Sequence, residues 1–494
     1  MSKKANIMPW KQVCVLRKEI RERELTTADY AVDLHKVVNG TKGETPFYCD
    51  PEQFFATTYA TGNLREFCSV VLRRLAKKKG GESIINVAQT FGGGKSHTLT
   101  ALYYLTTLGN KLPKKERSVS QILNHAQLKD PPIAHVAAVS FDKVDWKRGG
   151  EAKAPEGEVR RFRMPWNLIA WQLLGQKGLD ILQRDESQPD YDTPPAEDLW
   201  AEILNQVEES GQGALILIDE FLMWAHDAAS PDPTGESRDR GPFWFERLKN
   251  FFQRLSGAVE SSQRSCLVVS LLATDPAKND ETGREILRAC SNALNRQASL
   301  QSPVEKDDLA ELLRRRLFEK YPQNPEDRKT YILAFWSRMA AVDPIRAKLP
   351  DSQGRLINFY PFHPDLIDRL FGKWVDLDQF QRTRGVLQTF AVALRDAEKW
   401  DDSPLVGPQI LLGAPGSDGL SAALLKLAQV AKDSQREKNP EWPQNMKTEL
   451  PRALQAQKTD APTLIGREIE AACVAAFIFS QPIGEQAELS ELRW

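Results

Sequence analysis

The apolar positions of this chain follow two different periods, and the switches between them mark its elements. Short unbroken apolar runs occur in IINVA at 84–88, HVAAVSFD at 135–142, ALILI at 214–218 and SCLVVSLLATD at 265–275. Runs of that length, rich in β-branched residues, predict strands buried on both faces. Between them the apolar spacing is helical. Asp50-Pro51 opens a helical region over 51–79, and further helices are predicted at 97–108, 166–176, 197–208, 241–260, 281–298 and 307–320. Residues 143–163 are charged and glycine-rich, which predicts an excursion from the core. NKLPKKERSVS at 110–120 reads as a polar, basic linker, and 183–198 reads as a loop by composition.

Beyond Pro322 the pattern is helical at 325–343, 365–374, 380–400 and 465–479. Strands alternating with helices predict an α/β fold with a three-layer core, and the helix-rich second half predicts a separate lid. The expected organisation is an N-terminal extension over 1–49, which carries no clear pattern, then a core over 50–325 with an insertion at about 143–198. A helical lid and C-terminal helical region follow over 326–494.

The first two core elements enclose candidate chemistry. In SIINVAQTFGGGKSHTLT an apolar strand runs into Gly92, Gly93 and Gly94, then Lys95 and Ser96, then a helix. Backbone N–H groups wrapped around an anion at a helix N-terminus are what a phosphate site needs, and glycine permits the wrap. The pattern is that of a P-loop, with Gln89 where its first glycine is expected. That early glycine supplies no chemistry. Lys95 is placed to reach the β- and γ-phosphates of ATP, and the Ser96 hydroxyl to bind Mg²⁺. His97 follows directly in the cradle, where packing or capping suits it better than acid–base work.

The run ALILI ends in Asp219-Glu220, and ligands of open α/β sheets bind at the carboxyl ends of strands. Asp219 is the expected second Mg²⁺ residue, through water, and Glu220 the expected orienter of an attacking water. A bare strand ending in a solvated acidic pair is common; following GGGKS in order, the pair gains meaning. One intervening strand at 135–141 fits the additional-strand class of nucleotide hydrolases, which includes the AAA+ type. Thr274 and Asp275, at the end of the 265–275 run, are candidates to meet the γ-phosphate or the lytic water. Candidate cations for the developing charge are Arg284, Arg288 and Arg296, which could act in a neighbouring subunit of a homo-oligomer, and Arg382 and Arg384 before an apolar helix. Phe54 and Phe55 could stack near a base, although core packing explains them more simply. His363, between prolines, reads as structural, and the histidines show no metal-ligand spacing.

Composition adds limits. The chain has 494 residues and a net charge of -1, so no global field favours nucleic acid. Basic stretches at 73–79, 111–117 and 147–163 remain candidates for tracking phosphates, with solvated lysines as the plain alternative. Six scattered cysteines without a paired motif predict a reducing, cytoplasmic setting. The start MSKKANIMPWKQVC lacks the apolar segment of a secretory signal, and no apolar run approaches the length of a membrane span. The tryptophans, 12 in all, follow no repeat period.

Taken together, MPW at 8–10, DPEQFFATTYATGNL at 50–64, TFGGGKSH at 90–97, LILIDEF at 215–221, SPVEKDDLAELLRRRLFE at 302–319 and YPFHPDLIDRLF…FQRTRGVLQ at 360–388 resemble a family of large bacterial and archaeal P-loop ATPases. Its members are often encoded beside DNA methyltransferases, helicases and nucleases in phage-defence or restriction-modification islands, and the ATPase of bacteriophage-exclusion systems is similar. In that family TxFGGGK(S/T)H is the normal form, so Gln89 is no departure. The resemblance implies Lys95 and Ser96 as the phosphate and magnesium residues, Asp219 and Glu220 as the acidic pair, and Arg384 as a lid arginine. It also implies partners: double-stranded DNA and a methyltransferase or nuclease. Relatives tend to be longer, which suggests that this chain is the N-terminal half of such a protein. The expected function is Mg²⁺-dependent ATP hydrolysis that drives conformational change in a DNA-linked defence or modification complex. The alternatives are an ATP-binding switch or scaffold with slow hydrolysis, and, less favoured, a small-molecule kinase.

Overall fold

In a computed structural model of the chain, the described residues are 7–23, 31–40, 47–87, 94–182, 193–230, 240–271, 276–294, 298–299, 308–374, 383–417, 420–433, 442–461, 466–480 and 486–493. They contain strands β1 (Val15–Leu16), β2 (Ile84–Asn86), β3 (Ala134–Ser140), β4 (Gly150–Lys153), β5 (Val159–Phe162), β6 (Gly213–Asp219), β7 (Ser265–Val269), β8 (Ala298–Ser299) and β9 (Phe318–Lys320). The chain divides into two compact units, one formed by Val32–Val304 and the other by Met1–Ala31 together with Glu305–Trp494.

The Val32–Val304 unit is mixed α/β. Its central sheet has five strands in the order β3-β6-β7-β2-β8, and every pairing in it is parallel. Side chains alternate between the two faces of a strand, and here both faces are buried. Ala137, Val139, Ala214, Ile216, Ile218, Leu267 and Val269 face one apolar layer. Ile85, Val87, Ala134, Ala138, Leu215, Leu217, Cys266 and Val268 face the other. Helices Pro165–Leu174, Glu197–Glu209, Phe221–Ala229 and Arg240–Ser261 supply the first layer. Helices Pro51–Thr57, Gly62–Leu75, Lys95–Thr107 and Arg117–Ala126 supply the second. The result is three layers, helix on sheet on helix, because strands apolar on both sides can leave neither face to water.

Local signals account for several boundaries. Asp50 caps the Pro51–Thr57 helix by accepting from the backbone N–H groups of Glu52 (2.8 Å) and Gln53 (3.0 Å), with proline at the first helical position. Thr61 caps the Gly62–Leu75 helix through Leu64 N–H at 3.1 Å.

Three expectations change. The supposed excursion at 143–163 contains the antiparallel pair β4–β5, and Ala152, Phe162 and Met164 are buried in the first apolar layer. The insertion continues into the Pro165–Leu174 helix, where Trp166, Ile169 and Leu173 are fully buried. Part of the supposed linker begins a helix, Arg117–Ala126, whose Val119, Ile122 and Leu123 face the core. Its basic, proline-containing approach masked a clear amphipathic period. Finally, the 307–320 segment is helical only over Leu309–Leu317 and then extends as β9.

β9 explains the N-terminal segment. Arg17 N–H donates to Leu317 O at 3.0 Å, and β1 pairs antiparallel with β9. Trp10 is fully buried, lies edge-on to Phe318 with centroids 6.2 Å apart, and donates from Nε1 to Asp401 Oδ2 at 2.9 Å. Residues 1–31 therefore belong to the mainly helical unit, and the unit boundaries lie at 31/32 and 304/305 instead of 49/50 and 325/326. The same unit contains helices Pro325–Val342, Pro364–Gly372, Thr383–Ala397 and Glu468–Phe479. No helix among the described residues is long and apolar enough to cross a membrane.

Candidate functional site

The carboxyl ends of β2, β6 and β7 all lie at one edge of the sheet, because parallel strands end together. β7 stands between the other two, so β2 and β6 are held apart by one strand width of about 4.8 Å on each side. The chain leaving β2 returns as the Lys95–Thr107 helix, and Gly94 is its N-cap. Gly94 has φ +82°, a left-handed conformation that an L side chain resists, while nothing described lies within 4 Å of where its Cβ would stand. Glycine is needed there for the backbone turn and not for room.

From the first turn of that helix, the Ser96 hydroxyl donates to Asp219 Oδ2 at 3.0 Å. The two residues are 123 positions apart in sequence. Asp219, the last residue of β6, is buried, and among the described residues its Oδ1 has no hydrogen-bond partner. Burial pushes its carboxyl above the ordinary range, and the nearby charge of Lys95 and the Ser96 hydrogen bond only partly offset this. Asp142 adds to the upward push by like charge. A carboxylate oxygen without a donor and a hydroxyl beside it are oxygen ligands suited to a hard divalent cation, and the ammonium close by suits an anion such as a phosphate oxygen.

Glu220 sits at φ 53°, ψ 39°, left-handed for a residue with a Cβ. The reason is the abrupt turn: β6 ends at Asp219 and the Phe221–Ala229 helix starts two residues later. Phe221 N–H and Leu222 N–H bond sideways to the carbonyls of Ser270 and Leu271 at 3.2 and 3.0 Å. Such backbone strain costs roughly 1 kcal/mol or more and persists only where the surroundings enforce it. Here an aromatic cluster does so. Phe221 meets Phe141 and Phe252 edge-on, both at 4.9 Å between centroids, and Trp224 packs against Trp146 and Trp244. The half-buried Glu220 side chain does not cap the helix that it opens.

Position by position, the structure brings together Gly94, Lys95, Ser96, Asp219 and Glu220 at this edge. His97 is turned to packing: its ring stacks on Phe54 at 4.5 Å, and Nε2 lies 2.9 Å from Thr58 Oγ1. The Thr58 hydroxyl gives its proton to Phe54 O at 2.7 Å, so His97 Nε2–H is the donor to it. Phe54 and Phe55 are fully buried core residues. Gln89, Gly92, Gly93, Thr274, Asp275, Arg296 and Arg382 lie outside the described residues. Arg284 and Arg288 are exposed on the Glu281–Ala293 helix, with Arg284 Nη1 donating to Asn279 O at 3.2 Å. Arg384 is half-buried in the first turn of the Thr383–Ala397 helix, in the other unit.

The basic stretches are largely engaged within the chain. Arg73 donates to His125 O at 2.8 Å and Arg74 to Ser265 O at 3.1 Å, while Lys114 and Lys115 pair with Asp130 and Glu52. Arg160 and Arg161 pair with Glu158 and Glu151 at 2.8 and 2.9 Å.

Sequence reasoning missed Asp142, Lys143 and Ser270. Asp142 and Lys143 form an ion pair at 2.6 Å just past β3, and the charge of Glu220 reaches Lys143. Ser270 follows β7 directly, level with Asp219 across the sheet. Reading the first polar residue after every parallel strand would have found Asp142 and Ser270.

Fold and site thus define a mixed α/β protein with a polar, charge-bearing site at the carboxyl edge of a parallel sheet. Residues 8–302, more than half of the chain, match the DUF499 N-terminal domain, and the chain belongs to that family. No curated protein and no solved structure matches it.

Proposed function

We propose that the Val32–Val304 unit is an Mg²⁺-dependent ATPase of the P-loop, additional-strand type. The observation that carries the reading is the Ser96–Asp219 hydrogen bond, 3.0 Å across the end of β7. The two residues expected to share a magnesium ion meet although they lie on different elements. Sheet order supports the same class, since β7 lies between the phosphate strand and the acidic strand. The open approach to Gly94 and the donor-free Oδ1 of Asp219 fit a bound phosphate and cation.

In this reading Lys95 meets the β- and γ-phosphates, Ser96 and Asp219 hold Mg²⁺, and Glu220 orients and polarises the attacking water. The cation, when bound, neutralises charge on the phosphate oxygens. Thr274, Asp275 and Arg384 keep their assignments on sequence position and resemblance alone. Coupling to a DNA-linked defence or modification complex also rests on the resemblance, as do double-stranded DNA and a methyltransferase or nuclease as partners, while self-assembly rests on Arg284, Arg288 or Arg296 acting in a neighbouring subunit.

ATP turnover of wild type and Lys95→Ala, with and without double-stranded DNA, tests the proposal. Turnover that needs Lys95 is expected. Hydrolysis that survives the substitution, or wild type that neither binds nor hydrolyses ATP, overturns it. Stimulation by DNA decides the partner class. Glu220→Gln separates a motor, which loses function with turnover, from a switch, which keeps function without it.

A further inference from the structure

At the carboxyl edge, register places Asp219 and Ser270 side by side. Ile218 is level with Val269, and Ser270 N–H continues the ladder by donating to Ile218 O at 2.7 Å. Strand alternation sends both side chains to the same face. Leu217, two residues before Asp219, and Val268, two before Ser270, both face the apolar layer under the Lys95–Thr107 helix. Ser140 of β3 is level with Asp219 on its other side. The edge therefore presents a row of three small polar side chains, with Asp219 in the middle, beneath the helix that carries Lys95 and Ser96.

Two atoms in that row are out of balance. Ser270 is fully buried and its hydroxyl has no hydrogen-bond partner among the described residues. Asp219 Oδ1, next to it across the strands, also has none. A buried hydroxyl without a partner is costly, and so is a buried carboxylate oxygen without a donor. A hydrogen bond from the one to the other would satisfy both.

We infer that Ser270 is a positioning residue for Asp219: its hydroxyl donates to Oδ1 when Ser96 turns its oxygen from Oδ2 towards a bound cation. Without that second donor, Asp219 would lose its hydrogen bond at the moment its charge is needed. With it, the carboxylate stays oriented. This inference rests on the ATPase reading, because only a cation at Ser96 calls for the exchange.

The test is the Mg²⁺ dependence of binding a fluorescent ATP analogue by wild type, Ser270→Ala and Ser270→Thr in the full chain, with thermal melting of each. Outer-sphere partners of metal residues typically carry about tenfold in metal affinity. Ser270→Ala is expected to raise the half-saturating Mg²⁺ concentration by about that factor and to leave nucleotide binding in EDTA unchanged. Its melting temperature should not fall, since the hydroxyl it removes is unsatisfied. Ser270→Thr, which keeps the hydroxyl, should restore the Mg²⁺ dependence. A folded Ser270→Ala with wild-type Mg²⁺ dependence overturns the inference and leaves the ATPase reading standing. Wild type that binds no nucleotide, or binds it without regard to Mg²⁺, overturns both.

Discussion

Replacing Asp219 by asparagine should make the protein without nucleotide more stable while abolishing its activity. The side chain is buried with one oxygen bonded to Ser96 at 3.0 Å and the other without a donor. An unsatisfied buried acceptor costs about 1–3 kcal/mol, and more when it is charged. Asparagine keeps an oxygen for Ser96 and offers an N–H₂ to the unsatisfied Ser270 hydroxyl. Against this stand the lost attraction to Lys95 and the weaker bond from Ser96 to a neutral acceptor, roughly 1 kcal/mol together. The net gain is about 1–2 kcal/mol, or roughly 2–8 °C in melting temperature for a unit of this size.

The pH dependence supplies the sharper check. The Asp219 carboxyl lies above its ordinary value of 3.8 in the fold because burial outweighs Lys95 and Ser96. Below 3.8 the carboxyl is protonated in the folded and unfolded chains alike, so burial carries no charge penalty. As pH rises, the unfolded chain ionises first and wild type loses stability until the folded carboxyl ionises too; above that the penalty is constant. Thermal melts across pH should therefore show the asparagine variant gaining on wild type from acid to neutral pH. Magnesium and ATP should reverse the order, because only wild type is expected to be stabilised by them. A variant that melts below wild type at neutral pH, or a gain that is the same at every pH, refutes this account of Asp219.

Four other substitutions, at three residues, probe the site and the second unit. Glu220→Gln should lower turnover by about 10²–10⁴-fold with nucleotide binding retained, whereas Glu220→Gly, which removes the left-handed strain, should also lose turnover but change stability by less than about 1 kcal/mol; a strongly destabilised glycine variant would show that Glu220 is a structural residue. His97→Ala should cost about 1–2 kcal/mol through the lost Phe54 stacking and Thr58 bond. The pH profile of its remaining turnover should match wild type, and a missing limb would return His97 to acid–base chemistry. Trp10→Ala should cost about 3–5 kcal/mol in the unit formed by Met1–Ala31 and Glu305–Trp494. Hydrogen exchange should then rise at Val15–Leu16 and Phe318–Lys320, and unchanged protection there would mean that Trp10 does not hold β1.

Much of this fold was legible in the chain because the signals concerned are local. ALILI could only be a strand buried on both faces, and Asp50-Pro51 could only open a helix, since apolar period and capping chemistry act within a few residues. Gly94, Lys95, Ser96, Asp219 and Glu220 were likewise visible as motifs, in their order along the chain. What stayed hidden depends on partners distant in sequence. Phe318–Lys320 reads as the end of a helix until β1 pairs with it, and Trp10 reads as an isolated aromatic until Asp401 and Phe318 enclose it. Residues 143–163 look polar enough to be solvated, yet alternation along β4 carries Ala152, and Ala154 just after it, into the core. Ser270 is an ordinary serine in sequence. Only the β6–β7 register, set by backbone hydrogen bonds between segments far apart, puts Ser270 level with Asp219 on the same face of the sheet.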